Sequence, residues 1–461
     1  MAITTHPTHR PPAPGEPAET GAEPRTGPIR RIIAGSLVTG LVAAAVLTVV
    51  VFAGAGEYAI TGSALLGFAL GWAMLAVLSI RMTNQPQRWA FVPAAAMAVT
   101  GLGLLILAPG DAALTAAGWV WPPVLLALAI WMGVRVRRSL AARSGRWALY
   151  PVVAVLAAAA VGGGVETIAL ASDQHSYAMP GQSYDVGGYR LHLNCTGSGS
   201  PTVVLESGLG EFSASWARIA PVVGHTTRVC AYDRAGQGWS DDSPHAPDGL
   251  QVAADLHTLL GRAGETGPFV LAGHSTGGTY AMTFAARYPE QVAGVVLLDS
   301  SNPYQATVAS SSAGSSPSGV LGLLPTVARL GIGQLVPASS WSSLPEPAAG
   351  QVQAFSSSPR SWANASDETA AMPAMFWQAQ ALTTLGSKPL VVVTATESLQ
   401  MTPGWSDVQD RMAALSTISS HRIADVTHVA LVDEAHGAAI SAHAIDDVVH
   451  TVRTGAPLPP N

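Results

Sequence analysis

A serine between two glycines is the residue of this sequence best suited to nucleophilic chemistry. Residues 273–277 read G-H-S-T-G; they follow the apolar run Phe269–Ala272 and precede a helix-compatible run, Thr279–Arg287. This strand–turn–helix context is the one that a nucleophile elbow requires. The tight turn would place the Ser275 hydroxyl at the N-terminus of the next helix, where free N–H groups and the helix dipole favour developing negative charge. The pattern therefore predicts Ser275 as a nucleophile.

A serine hydroxyl is a weak nucleophile at its free pKa and needs an adjacent base. The C-terminal part of the chain offers five histidines for this role, His421, His428, His436, His443 and His450. The last three recur every seven residues along a predicted closing helix, Ala435–Arg453, and indicate a solvated helix face. His421 opens the last predicted strand, Ser420–Val426, and His428 follows that strand on a loop.

The elements around these residues indicate an α/β sheet, because short apolar runs alternate with helical patterns. The predicted strands are Tyr184–Val186, Tyr189–Cys195, Thr202–Glu206, Arg228–Tyr232, Phe269–Ala272, Val292–Leu298, Leu390–Thr394 and Ser420–Val426. Two glycines, Gly187 and Gly188, predict a hairpin between the first two strands.

The alternation stops between Ser300 and Leu385, which predicts a lid at about residues 300–385 inserted between two core strands. Four aromatic residues fall in it, Trp341, Trp362, Phe376 and Trp377. They could line an apolar substrate pocket or fill the lid's own small core, and the sequence favours neither.

Composition places part of the chain in lipid. Of its 461 residues 48% are hydrophobic and only 11% are charged, with a net charge of −6, whereas soluble domains carry about 25% charged residues. No basic patch with interleaved aromatics points to nucleic acid. Neither C-x-x-C nor H-E-x-x-H occurs, and no G-x-G-x-x-G follows a strand, so no metal and no cofactor is implied.

Five apolar runs are each close to the roughly 20 residues that cross a bilayer. They are Ile32–Ala53, Tyr58–Ile80, Trp89–Ala108, Gly118–Val134 and Trp147–Ala169. We expect a disordered cytoplasmic tail at residues 1–28, a membrane domain at 29–170 and a polar connector at 171–184. No span carries an ionisable residue near its middle, which argues against a proton or ion pathway.

Charge in the connections predicts the orientation. Arginines lie before the first span, between the second and third, and between the fourth and fifth. The other connections carry Glu57, Asp111, Glu166 and Asp173 and no Lys or Arg. By the positive-inside rule the N-terminus is cytoplasmic and everything after the fifth span is extracytoplasmic.

From about residue 185 to 455 the chain resembles the α/β-hydrolase superfamily. The motifs that carry the resemblance are the elbow, E-S-G-L-G at 206–210, D-R-A-G-Q-G-W-S at 233–240, Asp299 and the late His428, in the order nucleophile, acid, histidine. The resemblance implies a mostly parallel sheet flanked by helices, with the lid inserted between core strands of a domain at 185–461. The all-α membrane bundle that precedes it lies outside the resemblance.

The resemblance also implies roles. It places the loop after the last strand beside the elbow, so His428 would be the general base and later the general acid. The acid stays open: Asp299, which ends the strand after the elbow helix, is preferred. Most members of the superfamily place the acid after the following strand, where residues 395–398 read A-T-E-S and end in a serine. Glu397 and Asp407 are therefore the alternatives.

An oxyanion hole would use the backbone N–H of Thr276, after the nucleophile, and that of Leu209, on the turn after the third strand. Gly208 and Gly210 would let this turn approach the substrate oxygen closely. The motif at 233–240 is expected to be scaffold rather than catalytic.

The two cysteines, Cys195 and Cys230, both lie in the part expected to be extracytoplasmic, where disulfides persist. The fold implied by the resemblance makes their strands neighbours. We therefore expect a disulfide, the alternative being two buried free thiols.

Together these features predict a membrane-anchored extracytoplasmic serine hydrolase that cleaves carboxylic esters through an acyl-enzyme on Ser275. Its partners would be a small ester or lipid-like substrate and the bilayer, with no nucleic acid. The same triad could act on amides or peptides, or transfer the acyl group to another acceptor. A catalytically dead membrane binding protein with a hydrolase fold is the non-enzymatic alternative.

Overall fold

The structure is a computed structural model that describes residues 27–140, 143–304, 321–335 and 343–459. All but the last two residues of the expected tail at 1–28 fall outside these ranges. Trp341 and much of the first half of the lid, including residues 305–320, fall outside them as well.

Six helices form the N-terminal part: α1 (Gly27–Val46, continued as a π-helix over Leu47–Val51), α2 (Glu57–Met82), α3 (Phe91–Leu107), α4 (Asp111–Ala117), α5 (Trp121–Ser139) and α6 (Arg143–Ser176). In the described residues four spans are long and apolar enough to cross a membrane, and α4 with α5, bent by 48°, would make a fifth. The predicted fourth span, Gly118–Val134, covers the turn after α4 and most of α5. Proline occupies the first turn of α5, and a proline there starts a new helix rather than continuing the old one.

Small residues bring α1 and α2 into close contact. A Cβ atom on Gly67 would lie 2.2 Å from the backbone nitrogen of Ala44, and one on Gly71 would lie 2.9 Å from the Cα of Gly40. The G-x-x-x-G pattern of α2 therefore serves packing within this bundle.

All eight predicted strands are present in one sheet: β1 (Gln182–Asp185), β2 (Arg190–Thr196), β3 (Val203–Glu206), β4 (Val229–Tyr232), β5 (Phe269–His274), β6 (Val292–Leu298), β7 (Leu390–Ala395) and β8 (Ser419–Ala424). Their order is β1-β2-β4-β3-β5-β6-β7-β8. Only β2 pairs antiparallel with its neighbours, β1 and β4; the other pairs are parallel. The expected mostly parallel sheet is confirmed.

Helices cover both faces of this sheet: α7 (Ile219–Val223), α8 (Gly249–Arg262), α9 (Thr276–Arg287), α13 (Thr396–Met401), α14 (Trp405–Ala413), α15 (Ala430–Asp433) and α16 (Ala435–Thr454). Alternate strand residues point to opposite faces. Leu271 therefore packs in a core with Leu256 of α8 and Phe284 of α9, while Val270 packs in a second core with Val448 of α16.

Strands β2 and β4 are also joined covalently. Cys195 and Cys230 are register partners on these strands, and the structure links them in a disulfide. The expected pairing is confirmed.

The lid is helical where it is described, with α10 (Leu324–Arg329), α11 (Ala348–Ser356) and α12 (Pro359–Ala379). The three aromatic residues of α12 differ in their environments. Phe376 is buried and Trp377 is 72% exposed, and the indole of Trp362 donates to the Ser356 carbonyl at 2.8 Å. Helix α12 packs against α8 and α9, so the lid is anchored on the hydrolase-like part of the chain.

The start of the lid is anchored on the N-terminal helices instead. Arg329 contacts Glu57 through two bonds, Nε to Oε1 at 2.7 Å and Nη2 to Oε2 at 2.9 Å, and its Nη2 also contacts Asp111 Oδ1 at 2.9 Å. Gln334 donates to Glu166 Oε2 at 3.0 Å. Three of the four acidic residues that mark the arginine-free connections thus bond to the lid.

We expect Arg329→Ala to release α10, because removing one partner of a largely buried ion pair typically costs about 3–5 kcal/mol. Hydrogen exchange of the full-length protein in detergent should become at least about tenfold faster over Leu324–Leu335 and stay unchanged over β5. Arg287→Ala, an exposed arginine on α9, is the matched control. Wild-type exchange over α10 in Arg329→Ala would show that these contacts do not hold the lid.

Candidate active site

Ser275 lies in a strained turn between β5 and α9. Its φ is 55°, a left-handed value that costs a non-glycine residue of order 1–3 kcal/mol. A Cβ on Gly277 would lie 2.1 Å from the Glu206 carbonyl oxygen, and one on Gly273 would lie 2.6 Å from backbone atoms of the same turn. Only glycine fits at these two positions. The turn holds because the Ser275 N–H donates to the Leu298 carbonyl at 3.1 Å.

His428 lies on the loop after β8 and is paired with Asp299. Its Nδ1 is 2.6 Å from Asp299 Oδ2; because an ionised carboxylate only accepts, Nδ1 carries the proton. The rings of His428 and His274 are 4.5 Å apart between centroids, so His428 contacts the residue next to Ser275. Among the described residues no hydrogen bond joins the Ser275 hydroxyl to the His428 ring.

Asp299 is buried and held from several directions. It follows β6 with a φ of 41°. Ser398 donates to its Oδ2 at 2.5 Å, and the Trp405 indole donates to its Oδ1 at 3.2 Å. Burial opposes ionisation of Asp299, but the bond and charge of His428, with the two other bonds, outweigh it and keep the pKa of this carboxyl below its usual value. The carboxylate is therefore suited to fix the His428 tautomer.

The two alternative acids lie elsewhere. Glu397 Oε2 accepts the backbone N–H of His428 at 2.8 Å, so Glu397 contacts this residue through its main chain rather than its ring. Asp407 is exposed on α14. Ser398, which occupies the position after β7 where most members of the superfamily place the acid, instead donates to Asp299.

The turn at 208–210 lies against Ser275. A Cβ on Gly208 would be 3.0 Å from the Cβ of Ser275, and Gly210 has a φ of 71°. No backbone acceptor in the described residues takes the N–H of Leu209. Thr276 opens α9, so its N–H is one of the four that an α-helix leaves unpaired. The two N–H groups proposed for an oxyanion hole thus flank Ser275.

Arg234 holds this turn through two backbone carbonyls. Its Nη1 and Nη2 donate to the carbonyls of Ser207 and Gly208 at 2.5 and 2.8 Å. Its Nη2 also contacts Glu368 of α12 at 2.9 Å, with both side chains buried, and the guanidinium lies over the Tyr280 ring. The arginine therefore connects the lid to the turn.

Asp233 instead binds two neighbouring segments, at Ser213 and Trp239, and not the turn at 208–210. It accepts the N–H groups of Ser213 and Trp239 at 2.7 and 2.9 Å. Its Oδ2 is 2.8 Å from His192 Nδ1.

The sequence analysis did not identify Glu368 as a partner of Arg234. The two residues are 134 positions apart, and no local pattern marks a lid residue as the partner of so distant an arginine.

Comparison with known proteins points to the same fold. The family model "alpha/beta hydrolase fold" matches residues 201–325. The chain is 38% identical over 110 residues to Lipase LipV of Mycobacterium tuberculosis, covering 24% of this chain and 41% of the lipase. It is 33% identical over 153 residues to an uncharacterized protein of Schizosaccharomyces pombe, covering 26% of this chain and 28% of that protein. The chain thus spans less than half the length of these curated relatives.

Among solved structures, a thermophilic esterase from Thermogutta terrifontis aligns with 23% identity and a TM-score of 0.44, over 59% of this chain and 97% of the esterase. The stretch matched by the family model contains the elbow, the turn at 206–210 and Asp299. The part of the chain that forms the sheet has the alpha/beta hydrolase fold.

The geometry predicts which acid matters for turnover. Asp299→Asn keeps the side chain's volume but cannot hold the Nδ1 proton as a carboxylate does, so kcat should fall at least about a hundredfold with KM little changed. Glu397→Gln keeps an acceptor for the His428 N–H and should lose less than about tenfold. Steady-state kinetics of the two variants make the comparison, and a crippled Glu397→Gln beside an active Asp299→Asn would reverse the assignment.

Proposed function

We propose that this protein, an alpha/beta hydrolase by its fold, is a membrane-anchored serine hydrolase that cleaves carboxylic esters. The observation that carries the proposal is the 2.6 Å contact between His428 and buried Asp299, beside a serine in an elbow with a φ of 55°. In this proposal Ser275 is the nucleophile, His428 the general base and Asp299 the residue that orients it.

The first half of the reaction forms an acyl-enzyme. With its Nδ1 proton held by Asp299, His428 has a free Nε2 that takes the proton from the Ser275 hydroxyl as the oxygen attacks the ester carbonyl. The N–H groups of Leu209 and Thr276 stabilise the resulting oxyanion, and removing one such donor typically costs about a hundredfold or more in kcat. Collapse breaks the bond to the alcohol, which leaves with the proton from His428.

The second half hydrolyses the acyl-enzyme. His428 takes a proton from water, the hydroxide oxygen attacks the acyl carbon, and the same two N–H groups stabilise the second oxyanion. Collapse releases the acid and returns the proton to Ser275. Atoms balance with ester and water as the sole reactants.

Two further observations bear on the substrate and the anchor. The Mycobacterium tuberculosis relative is named a lipase, which supports an ester rather than an amide as the substrate. Apolar helices of membrane-spanning length precede the catalytic domain. Arg329 of the lid forms ion pairs with Glu57 and Asp111, which lie at the connections between these helices. We infer a lipid-like ester as the substrate class.

A fluorophosphonate probe should label the wild-type protein in detergent and fail to label Ser275→Ala, because the probe needs an activated serine. The same pair should be compared on a panel of p-nitrophenyl esters and anilides of increasing acyl length. Ester turnover that depends on Ser275 supports the proposal; an unlabelled wild-type protein would mean a catalytically dead fold, and anilide turnover above ester turnover would mean an amide hydrolase.

We further propose that the N-terminus is cytoplasmic and the catalytic domain extracytoplasmic. The distribution of arginines in the connections supports this orientation, and the Cys195–Cys230 disulfide suits an oxidising compartment. A C-terminal epitope tag should be accessible to antibody on intact cells, and an N-terminal tag only after permeabilisation. Protease protection of the C-terminal domain in intact spheroplasts would contradict this orientation.

A further inference from the structure

A buried ion pair lies next to the proposed catalytic groups and takes no part in the mechanism above. Glu211 follows the turn at 208–210, and His274 directly precedes Ser275. Glu211 Oε1 and His274 Nδ1 are 2.7 Å apart, and the two side chains are 5% and 0% exposed. A charged pair so completely removed from water is costly unless its remaining hydrogen bonds are made.

Each member of the pair bonds to a different part of the site. Glu211 Oε2 accepts the N–H of Gly208, in the proposed oxyanion turn, at 2.7 Å. His274 Nε2 lies 3.1 Å from the backbone carbonyl oxygen of His428. The pair therefore links the oxyanion turn to the histidine loop through the residue beside the nucleophile.

The partners decide the protonation state of the pair. A backbone carbonyl and a carboxylate only accept hydrogen bonds, so both ring nitrogens of His274 must donate and the ring is an imidazolium. Burial opposes both charges, but the attraction between them prevails: the pKa of His274 is raised and that of Glu211 is lowered. Charge-assisted bonds of this kind are short and directional.

We propose that Glu211 and His274 are positioning residues that set the distance between the Leu209 N–H and the ring of His428. This inference rests on the serine hydrolase reaction proposed above. Oxyanion donors act only when they are aimed at the position that the developing charge will occupy, and a misplacement of about 1 Å can cost a hundredfold in rate. The buried pair bonds both to the turn that carries the Leu209 N–H and to the backbone of His428, so it positions both groups.

Two substitutions of Glu211 distinguish the role of its hydrogen bonds from the role of its charge. In Glu211→Gln the amide oxygen can still accept the Gly208 N–H, and the amide nitrogen can donate to Nδ1 of a neutral His274, so every link is kept. Glu211→Ala breaks both links. We expect kcat for the best ester to stay within about threefold of wild type in Glu211→Gln. In Glu211→Ala it should fall at least about tenfold, with KM within about threefold.

A substitution of His274 tests the other half of the pair. His274→Phe keeps a ring of similar size but cannot bond to His428 or Glu211. If Glu211→Ala does not fold, the kcat of His274→Phe is compared with that of Glu211→Gln in its place. It should lower kcat as Glu211→Ala does, and the double variant should be no worse than the poorer single one, because both changes break the same link.

The matched control is another buried histidine–carboxylate pair, His192 with Asp233, whose side chains are both 0% exposed. His192→Gln should lower the melting temperature and leave kcat per folded molecule unchanged. Equal losses of kcat in Glu211→Ala and Glu211→Gln, or wild-type kcat in Glu211→Ala, would overturn the proposal.

The reaction and the positioning role fail in distinguishable ways. All rates are measured as Ser275-dependent turnover, by subtracting Ser275→Ala. Turnover that persists in Ser275→Ala would refute the proposed function itself. Ser275-dependent turnover that is insensitive to Glu211→Ala and His274→Phe would refute the positioning role alone.

Discussion

The close approach of the elbow to strand β3 is the constraint on which the rest of the site depends. With a Cβ on Gly277 only 2.1 Å from the Glu206 carbonyl oxygen, α9 and β3 are in backbone contact. The turn that continues β3 is therefore carried over Ser275, where its N–H groups can face a substrate oxygen. A larger residue at 277 would separate Ser275 from this turn, whatever its effect on the sheet.

The carboxyl ends of the parallel strands supply the remaining groups in spatial order. Ser275 directly follows β5 and Asp299 directly follows β6. Glu397 and Ser398 lie just after β7, and His428 lies on the loop after β8. Backbone bonds run along this edge, from Ser275 to Leu298 and from Asp299 to Val393. Asp299 can therefore reach His428 across the end of β7, and Ser398 supports the carboxylate where most members of the superfamily would carry the acid.

The lid is held from two sides by buried or half-buried arginines. Arg234 of the hydrolase-fold domain binds Glu368 in α12, while Arg329 of the lid binds Glu57 and Asp111 of the N-terminal helices. The N-terminal apolar helices are thus in direct contact with the lid as well as preceding the hydrolase-fold domain in the chain. This contact gives the apolar helices a structural part in how the lid is placed.

The sequence by itself determined the elements and the strand–turn–helix position of Ser275. Alternating apolar runs placed all eight strands, and G-x-S-x-G marked Ser275, because strand periodicity and tight-turn glycines are local properties. It did not decide between Asp299, Glu397 and Asp407, nor did it single out Glu211 or Glu368 as partners of His274 and Arg234. These depend on which loops meet at the sheet edge and which side chains are buried together, and only tertiary structure decides contacts between residues tens or hundreds of positions apart.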